Sequence, residues 1–498
     1  MKPTHITHNM VFLGAACFLA ILHICSWSDY PPDVDPINFT LALHTYSPSI
    51  DAPHPPGYPL FVFTGRLAAY VVGDRHAYQL VNLGMLFASG CFLYFTFRRA
   101  GNVELGIFSA LLLMSHPLAW SATVVPECYI SDTFFATGIL AWVYCNSDSQ
   151  KKLVAGIFVL FFLMGMVRPV SGVMLLPLAM AVGYYCAEVR SFRNVVFVVI
   201  AGILAIILAY AITAILSGGL TAYRSAAMRV MGGAFHANSL LGGAAFSNHM
   251  KMLAHLLGWF LLLVLPTGVL IFVAALNNRN LVQAIDNKSA IIIGYAWLLP
   301  PLLFYALIYY LKPTYQLIYL PCLLIPCAWV LTLKDGFFSK RARTFAFLAL
   351  VMAQLVFFLV PFGHLPQPLF RITESYVIQQ DQAWGSLMDN LSKMPKEDTL
   401  LIWVSHPSLS MYAVRLINKQ EPIALASTDR SELNYLIPQT MEWLPSNLSD
   451  KIINEKYKGA IIIENIRGQA TVRNIKFSDP QWRVVNYLLN NYLSKYPR

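Results

Sequence analysis

Long apolar segments recur through the first 360 or so residues, and they constrain the fold of this chain more than any other feature. A helix that crosses about 30 Å of hydrocarbon needs about 20 apolar residues. Eleven segments approach that length, at 10–27, 77–97, 103–119, 129–145, 153–167, 170–187, 195–217, 253–275, 290–310, 315–333 and 344–362. Only 12% of the 498 residues are charged, about half the fraction usual in soluble domains. The sequence therefore predicts a mainly α-helical, polytopic membrane bundle of about eleven spans.

The basic residues predict how these spans are oriented. The formal charge of +10 is not gathered in one patch, so we expect no nucleic-acid partner. With the N-terminus in the cytoplasm and the first segment kept as an uncleaved span, every inside loop carries at least one basic pair, as the positive-inside rule requires. The pairs are Arg98-Arg99, Lys151-Lys152, Arg190 with Arg193, Arg279 with Lys288, and the group Lys334, Lys340, Arg341 and Arg343. An odd number of spans then puts the C-terminal part outside, periplasmic if the membrane is a bacterial inner membrane.

Residues 59–76 are apolar but too short for an ordinary span, and Arg66 lies near their middle. We expect a helix that lies at the interface or dips in from the outer face.

The composition changes at about residue 366, which divides the chain into a transmembrane domain, 1–365, and an extracytoplasmic domain, 366–498. The stretches 399–405, 422–426 and 459–465 have the pattern of short buried strands, and 408–418 and 479–495 that of amphipathic helices. We expect a small α/β domain. His406 falls between a predicted strand and a predicted helix, where sites often occur in such folds, although a turn residue near a helix cap would look the same.

The most polar part of the membrane domain is the loop after the first span. Asp33 and Asp35 stand one residue apart there, and His44 and Asp51 follow in the same loop. Such carboxylates can cap a helix start, and a carboxylate can also take a proton from an acceptor hydroxyl during transfer of a sugar. The residues alone leave both readings open.

The loop ends in the string HPPGYP at 54–59, a rigid turn with few free backbone donors. It could be a stiff connector into the next helix, or it could fix His54 and Tyr58 beside a reacting centre.

Several of these motifs together resemble a known group of membrane enzymes. Asp35, HPPGYPLF at 54–61, Asn82, Trp120 and Glu127-Cys128-Tyr129 are similar to the N-terminal half of the family that includes the eukaryotic O-mannosyltransferases acting on plexin-type receptor domains. More broadly, they resemble the GT-C superfamily, with its protein O-mannosyltransferases and lipid A aminoarabinose transferases. The resemblance covers roughly residues 10–190.

The resemblance implies transfer of one sugar, with inversion, from a polyprenyl-phosphate carrier to a lipid, glycan or protein acceptor at the outer membrane face. Asp35, with Asp33 beside it, would be the base, and Glu127 and Tyr129 would line the cavity, although an interfacial aromatic belt would account for them equally. Family members tend to read D-x-G-E-F where this chain has Asn38 in place of the glutamate. That departure leaves open whether a divalent metal ion takes part.

A departing lipid phosphate gains negative charge, so cations must converge near it. Arg168, at the break before Pro169, Lys312 in YYLKPTYQLIYLP, and Arg66 are the candidates. Charges at such depths are expensive and usually functional, but they could instead snorkel to the lipid headgroups.

Two other functions remain to be distinguished from a transferase. A flippase or carrier for a lipid-linked sugar would tend to show inverted repeats and interrupted midplane helices, and neither is clear here. A non-catalytic scaffold would not require the crowded first loop.

Overall fold

The structure is a computed structural model. It describes residues 3–50, 52–146, 148–185, 192–277, 288–333, 339–361, 365–392, 399–404, 425–429, 432–437, 442–444, 459–466 and 469–476. Within these ranges the α-helices are α1 Pro3–Cys25, α2 Val34–Ala42, α3 Pro59–Val72, α4 Ala77–Arg99, α5 Val103–Ser115, α6 Pro117–Thr123, α7 Ile130–Cys145, α8 Gln150–Val167, α9 Pro169–Tyr185, α10 Phe192–Leu216, α11 Leu220–Asn238, α12 Phe246–Asn277, α13 Lys288–Leu307, α14 Leu320–Thr332, α15 Lys340–Leu359, α16 Gln367–Phe370 and α17 Glu374–Ser392. Short 3₁₀ turns lie at Pro48–Ile50, Asp74–His76, Leu240–Gly242 and Pro313–Ile318.

Each of the eleven predicted spans contains an apolar helix, so the prediction of a polytopic helical bundle is confirmed. In the described part of the chain, seven helices are long and apolar enough to cross a membrane, namely α1, α4, α8, α10, α12, α13 and α15. Helices α5 and α6 make an eighth candidate that is bent by 57°. Helices α7, α9 and α14 are apolar but shorter, as is α3 in the stretch predicted to lie at the interface.

Two of the helix breaks lie directly before prolines. The residue before a proline is disfavoured in helical geometry, and Arg168 before Pro169 is accordingly extended, with φ −144° and ψ 91°. His116 before Pro117 is likewise extended, which makes the bend between α5 and α6. Each break places a polar side chain, Arg168 or His116, in an otherwise apolar region.

A buried aromatic stack fixes the α6 segment. The Trp120 indole lies between the rings of His23 and Phe358, at centroid distances of 3.9 and 5.0 Å. His23 is itself held by hydrogen bonds from its ring to the Met114 carbonyl oxygen, at 3.0 Å, and to the Thr123 hydroxyl, at 2.8 Å. This packing anchors the loop at 124–129.

Helices α4 and α5 approach closely because of one glycine. A Cβ atom at Gly106 would lie 2.8 Å from the Tyr94 carbonyl oxygen, so only glycine permits this contact.

The chain divides into two compact units. The first contains Met1–Trp27 and Ala42–Ser375, and the second contains Ser28–Leu41 and Tyr376–Arg498. The acidic segment that carries Asp33 and Asp35 therefore groups with the C-terminal part of the chain.

The second unit contains a six-stranded sheet of β1 Thr399–Val404, β2 Leu425–Asp429, β3 Glu432–Ile437, β4 Glu442–Leu444, β5 Gly459–Ile466 and β6 Gln469–Lys476. The strand order is β4-β3-β2-β1-β5-β6. Central β1 is parallel to β2 and β5, with Leu401 opposite Leu425 and Ile461, and the other pairs are antiparallel. The predicted strands at 399–405 and 459–465 correspond to β1 and β5. Of the strand predicted at 422–426, the structure describes only residues 425 and 426, which begin β2. The two predicted helices and His406 lie outside the described residues.

Candidate active site

The acidic segment is built as a helix start. The Asp33 carboxylate accepts a hydrogen bond from the Val34 N–H at 2.7 Å, and its carbonyl accepts one from the Ile37 N–H at 3.1 Å. Asp33 is exposed, and Asp35, in the first turn of α2, is partly exposed. The positive end of a helix dipole favours carboxylates at this position. Asp33 is thus engaged in starting the helix, whereas Asp35 extends from its first turn. Asp51 of the same loop lies outside the described residues.

Arg66 is bound to the other end of α2. Its Nη2 donates to the carbonyl oxygen of Ala42 at 2.8 Å, and its Nε donates to the same oxygen at 3.3 Å. Ala42 is the last residue of α2, where carbonyl groups lack helical partners. The structure therefore gives Arg66 a helix-capping contact, which sequence reasoning did not anticipate.

The HPPGYP turn holds its two predicted side chains together. The Tyr58 hydroxyl and the His54 Nε2 are 2.9 Å apart, and the two rings meet edge to face. Gly57 has φ +93°, and a Cβ there would lie 2.8 Å from the Tyr46 hydroxyl. The Tyr223 hydroxyl donates to the Pro56 carbonyl at 3.2 Å. The turn is consequently fixed against α11 and presents His54 and Tyr58 as a pair.

Electrostatics around this turn are dominated by burial. Burial raises the pKa of the Tyr46 phenol, while the positive charge of Arg66 opposes the rise. Tyr46 is therefore a neutral hydroxyl beside the turn. His44, earlier in the loop, pairs with Asp74 at 2.8 Å, and both side chains are about half exposed.

Glu127 and Lys312 meet although they are far apart in sequence. The Lys312 Nζ lies 2.8 Å from the Glu127 Oε1, with exposed side-chain fractions of 21% and 8%. The Asn82 side-chain amide supports the Glu127 loop by donating to the carbonyl oxygens of Ala122, Val125 and Glu127, at 3.1, 3.2 and 2.6 Å. The loop is held in one shape from the inside.

A second ion pair, more deeply buried, lies beside the first. The Arg168 guanidinium pairs with the Asp132 carboxylate, whose other oxygen accepts the Ser171 hydroxyl at 2.6 Å. The Arg168 guanidinium also lies over the rings of Tyr129 and Tyr315, at 4.7 and 5.6 Å from their centroids. Lys312 approaches the same Tyr129 ring, at 5.9 Å. The Tyr129 ring therefore joins the two ion pairs into one group.

We call this group the charged cluster, defined by Glu127, Tyr129, Asp132, Arg168 and Lys312. It carries two positive and two negative side chains, so it is neutral as it stands. Lys312 is its most exposed charge, and Asp132 is fully buried. An added anion would interact first with Lys312, where it would compete with the Glu127 carboxylate.

The predicted site residues fall into separate groups. The structure brings Glu127, Tyr129, Arg168 and Lys312 together in the charged cluster, pairs His54 with Tyr58, and binds Arg66 to the end of α2. Asp33 and Asp35 belong to the second unit.

Sequence reasoning missed Asp132, Ser171 and Tyr315. A signal for Asp132 existed, because a charge inside an apolar segment usually faces a partner within the bundle. Arg168, already singled out, is that partner.

Among the residues whose placement the structure describes, no group of three or more His, Cys, Asp or Glu side chains could hold a metal ion.

Comparison with known proteins gives a fold. No protein-family model matches the chain, and no curated protein matches its sequence. Two solved structures of ArnT from Cupriavidus metallidurans do match. The apo form has a TM-score of 0.56 and 11% identity over 92% of this chain and 93% of that chain. The form bound to undecaprenyl phosphate has a TM-score of 0.54 and 10% identity over 95% of this chain and 98% of that chain. The chain therefore has the ArnT fold along nearly its whole length.

Proposed function

We propose, from the ArnT fold that the chain shares, that it is a GT-C-type membrane glycosyltransferase that uses a polyprenyl-phosphate-linked sugar. ArnT is a GT-C lipid A aminoarabinose transferase, a member of the same superfamily that the sequence motifs resemble. One of its matching structures holds undecaprenyl phosphate, which supports a lipid phosphate of that class as the carrier here. The remaining assignments rest on the residues of this chain.

The observation that carries the proposal is the convergence of Lys312 and Arg168 in the charged cluster. Cations from two distant parts of the chain meet on the Tyr129 ring, although isolated charges in a membrane bundle are costly. Lys312 is the group we assign to the donor phosphate, because it is the most exposed of the four charges. Arg168 is already paired with Asp132. Its guanidinium therefore acts on the donor phosphate mainly through its positive charge at a distance, and it holds the Tyr129 ring in position.

The superfamily resemblance implies an inverting transfer step. The oxygen of an acceptor hydroxyl attacks the anomeric carbon from the face opposite the phosphate, and the bond from that carbon to the phosphate oxygen breaks. Its electron pair stays on the lipid phosphate, where Lys312 offsets the added charge. The hydroxyl proton passes to the Asp35 carboxylate. Attack from the opposite face inverts the anomeric configuration. Asp33 supports Asp35 by starting the helix that carries it.

Other residues have narrower roles in this proposal. His54, Tyr58 and Tyr129 offer aromatic faces and hydroxyl or imidazole groups suited to a sugar ring, and Glu127 sets the position of Lys312. Arg66, which caps α2, acts on the orientation of the helix rather than on the phosphate. We assign acceptor selection to the C-terminal domain, 366–498, and place the reaction at the outer face of a bacterial inner membrane.

Replacement of the two aspartates tests the proposal. Asp35→Asn should abolish the product while protein level and affinity for undecaprenyl phosphate persist, because only the base is lost. Asp33→Asn is the matched control one residue away, and it should retain most activity. The measurement is mass analysis of envelope lipids, glycans and proteins from deletion cells that carry each variant. Near-normal product with Asp35→Asn would refute the assignment of the base.

An assay with purified protein separates a transferase from a flippase. A transferase given the lipid-linked sugar and its acceptor makes a new sugar–acceptor bond, so acceptor molecules one sugar heavier appear. A flippase changes only the side of the membrane on which the lipid-linked sugar lies, so the same mixture yields no new mass.

A further inference from the structure

A carboxylate on α17 fastens the acidic segment. The Asp381 Oδ1 accepts the Tyr30 N–H at 2.9 Å and the Ser28 hydroxyl at 2.8 Å, while its Oδ2 accepts the Asp29 N–H at 3.0 Å. Three consecutive residues thus bind both oxygens of one side chain. The Asp29 and Tyr30 N–H groups donate to this carboxylate, and the Ser28 hydroxyl also contacts the Tyr30 carbonyl oxygen. Hydrogen bonds to an ionised carboxylate are the strong kind.

A second contact on the same face of α17 reinforces the first. The Tyr30 ring stacks on the Trp384 ring at a centroid distance of 6.3 Å and an angle of 17°. Trp384 is three residues beyond Asp381, so the two side chains are neighbours on the helix surface. Trp384 is buried. We call these contacts the Asp381 clasp, made by Ser28, Asp29, Tyr30, Asp381 and Trp384.

Two prolines connect the clasp to the base. Pro31 and Pro32 follow Tyr30 directly and precede Asp33. Their fixed φ angles make the connection stiff, so the position of Tyr30 is transmitted to the start of α2. Asp35 lies in the first turn of that helix.

We propose that Asp381 is a positioning residue that fixes the start of α2, and with it the Asp35 carboxylate, by holding residues 28–30 against α17. This inference rests on the proposed function, in which Asp35 is the base. It assigns to the polar C-terminal part of the chain a role in arranging the catalytic segment. Misplacement of a catalytic group by about 1 Å can cost about a hundredfold in rate, so a clasp of this kind would act on turnover.

The test compares Asp381→Asn with Asp389→Asn, an exposed aspartate on the same helix. In Asp381→Asn the side-chain NH₂ group replaces Oδ2 and faces the Asp29 N–H. Two donors then meet, so the hydrogen bond from the Asp29 N–H is lost. Hydrogen–deuterium exchange in a peptide covering residues 28–35 should speed up by about tenfold, the factor expected for loss of one charge-assisted hydrogen bond. Asp389→Asn should exchange like the wild type.

Two functional readouts separate positioning from a merely structural role. In Asp381→Asn, product per folded molecule should fall about tenfold or more, while affinity for undecaprenyl phosphate stays within about twofold, because Lys312 and Arg168 lie outside this segment. Asp381→Glu keeps the charge and should recover part of the product. If Asp381→Asn reduces the folded yield, Ser28→Ala is the second variant. It removes the contacts of the Ser28 hydroxyl with Asp381 and with the Tyr30 carbonyl oxygen without changing α17, and it should show the same trend more weakly.

Unchanged hydrogen exchange at residues 28–35 in Asp381→Asn would overturn the clasp. Normal product despite faster exchange would overturn the positioning role of Asp381. A loss of product no larger than the loss of folded protein would also overturn the positioning role. Hydrogen exchange does not depend on the identity of the base, so the clasp can hold even if Asp35→Asn retains activity and the proposed function fails.

Discussion

Asp132→Asn should destabilise the membrane bundle more than Glu127→Gln, the matching change in the other ion pair of the charged cluster. The Asp132 side chain is fully buried, and that of Arg168 is 9% exposed. Removing one partner of such a pair costs about 3–5 kcal/mol, because the other charge is left buried without compensation. The asparagine oxygen keeps one neutral hydrogen bond, worth about 1 kcal/mol. The expected loss is therefore about 2–4 kcal/mol.

The matched control is Glu127→Gln. Its partner Lys312 is 21% exposed, so water replaces part of the lost attraction, and the expected loss is about 1 kcal/mol or less. For a large chain each kcal/mol lowers the melting temperature by about 2 °C. Thermal unfolding of purified protein in one detergent should therefore show a drop of about 4–8 °C for Asp132→Asn and about 2 °C or less for Glu127→Gln.

A double variant completes this test. Asp132→Leu with Arg168→Met removes both charges and leaves no uncompensated ion, so it should melt well above Asp132→Asn. If Asp132→Asn melts like the wild type, or if the double variant is as unstable as the two single losses added together, the buried pair does not act as described. The folded double variant also shows whether Arg168 binds the phosphate or only pairs with Asp132. Unchanged affinity for undecaprenyl phosphate in this variant would assign the phosphate to Lys312.

Three further predictions concern other parts of the chain. Lys312→Ala should weaken binding of undecaprenyl phosphate about tenfold, and Glu127→Gln should tighten it, as measured by titration of the purified protein. If both variants bind undecaprenyl phosphate as tightly as the wild type, Lys312 does not belong to the donor site. Gly57→Ala should cost about 1–3 kcal/mol because of the positive φ and the nearby Tyr46 hydroxyl, whereas Gly84→Ala, which meets nothing within 4 Å, should be neutral or stabilising in the same melting assay. A C-terminal tag should be digested by protease in intact spheroplasts, and its protection would reverse the proposed orientation.

The helical architecture could be predicted because it depends on local properties of the sequence. Apolar segments of membrane length and prolines at their ends are visible residue by residue, and they gave the helices and the break at Arg168. The strand at 399–404 was predictable for the same reason. The sequence predicted more full-length spans than the described helices provide: α7, α9 and α14 are shorter, and α5 and α6 are bent by 57°.

The pairing of side chains could not be predicted in the same way. Arg66 looked like a phosphate ligand or a snorkelling charge, but the carbonyl group that it binds belongs to Ala42, 24 residues earlier. Asp132 was overlooked inside an apolar helix because its partner, Arg168, is 36 residues away. Glu127 and Lys312 were each singled out, but their contact spans 185 residues. Such pairings are set by tertiary packing, which no short window of sequence contains.

The Asp381 clasp also imposes an order on biosynthesis. The Asp29 N–H and its acceptor on Asp381 are 352 residues apart, and ribosomes add about 5–20 residues per second. The acidic segment is therefore made about 20–70 seconds before its partner exists. During that interval every span up to α15 can be inserted while the acidic segment remains unfastened. A chain that stops before α17 would carry the helices of the membrane bundle and both aspartates, yet it would lack the contact that holds residues 28–30. Under the proposed function, in which Asp35 is the base, the chain would become competent only near the end of its synthesis.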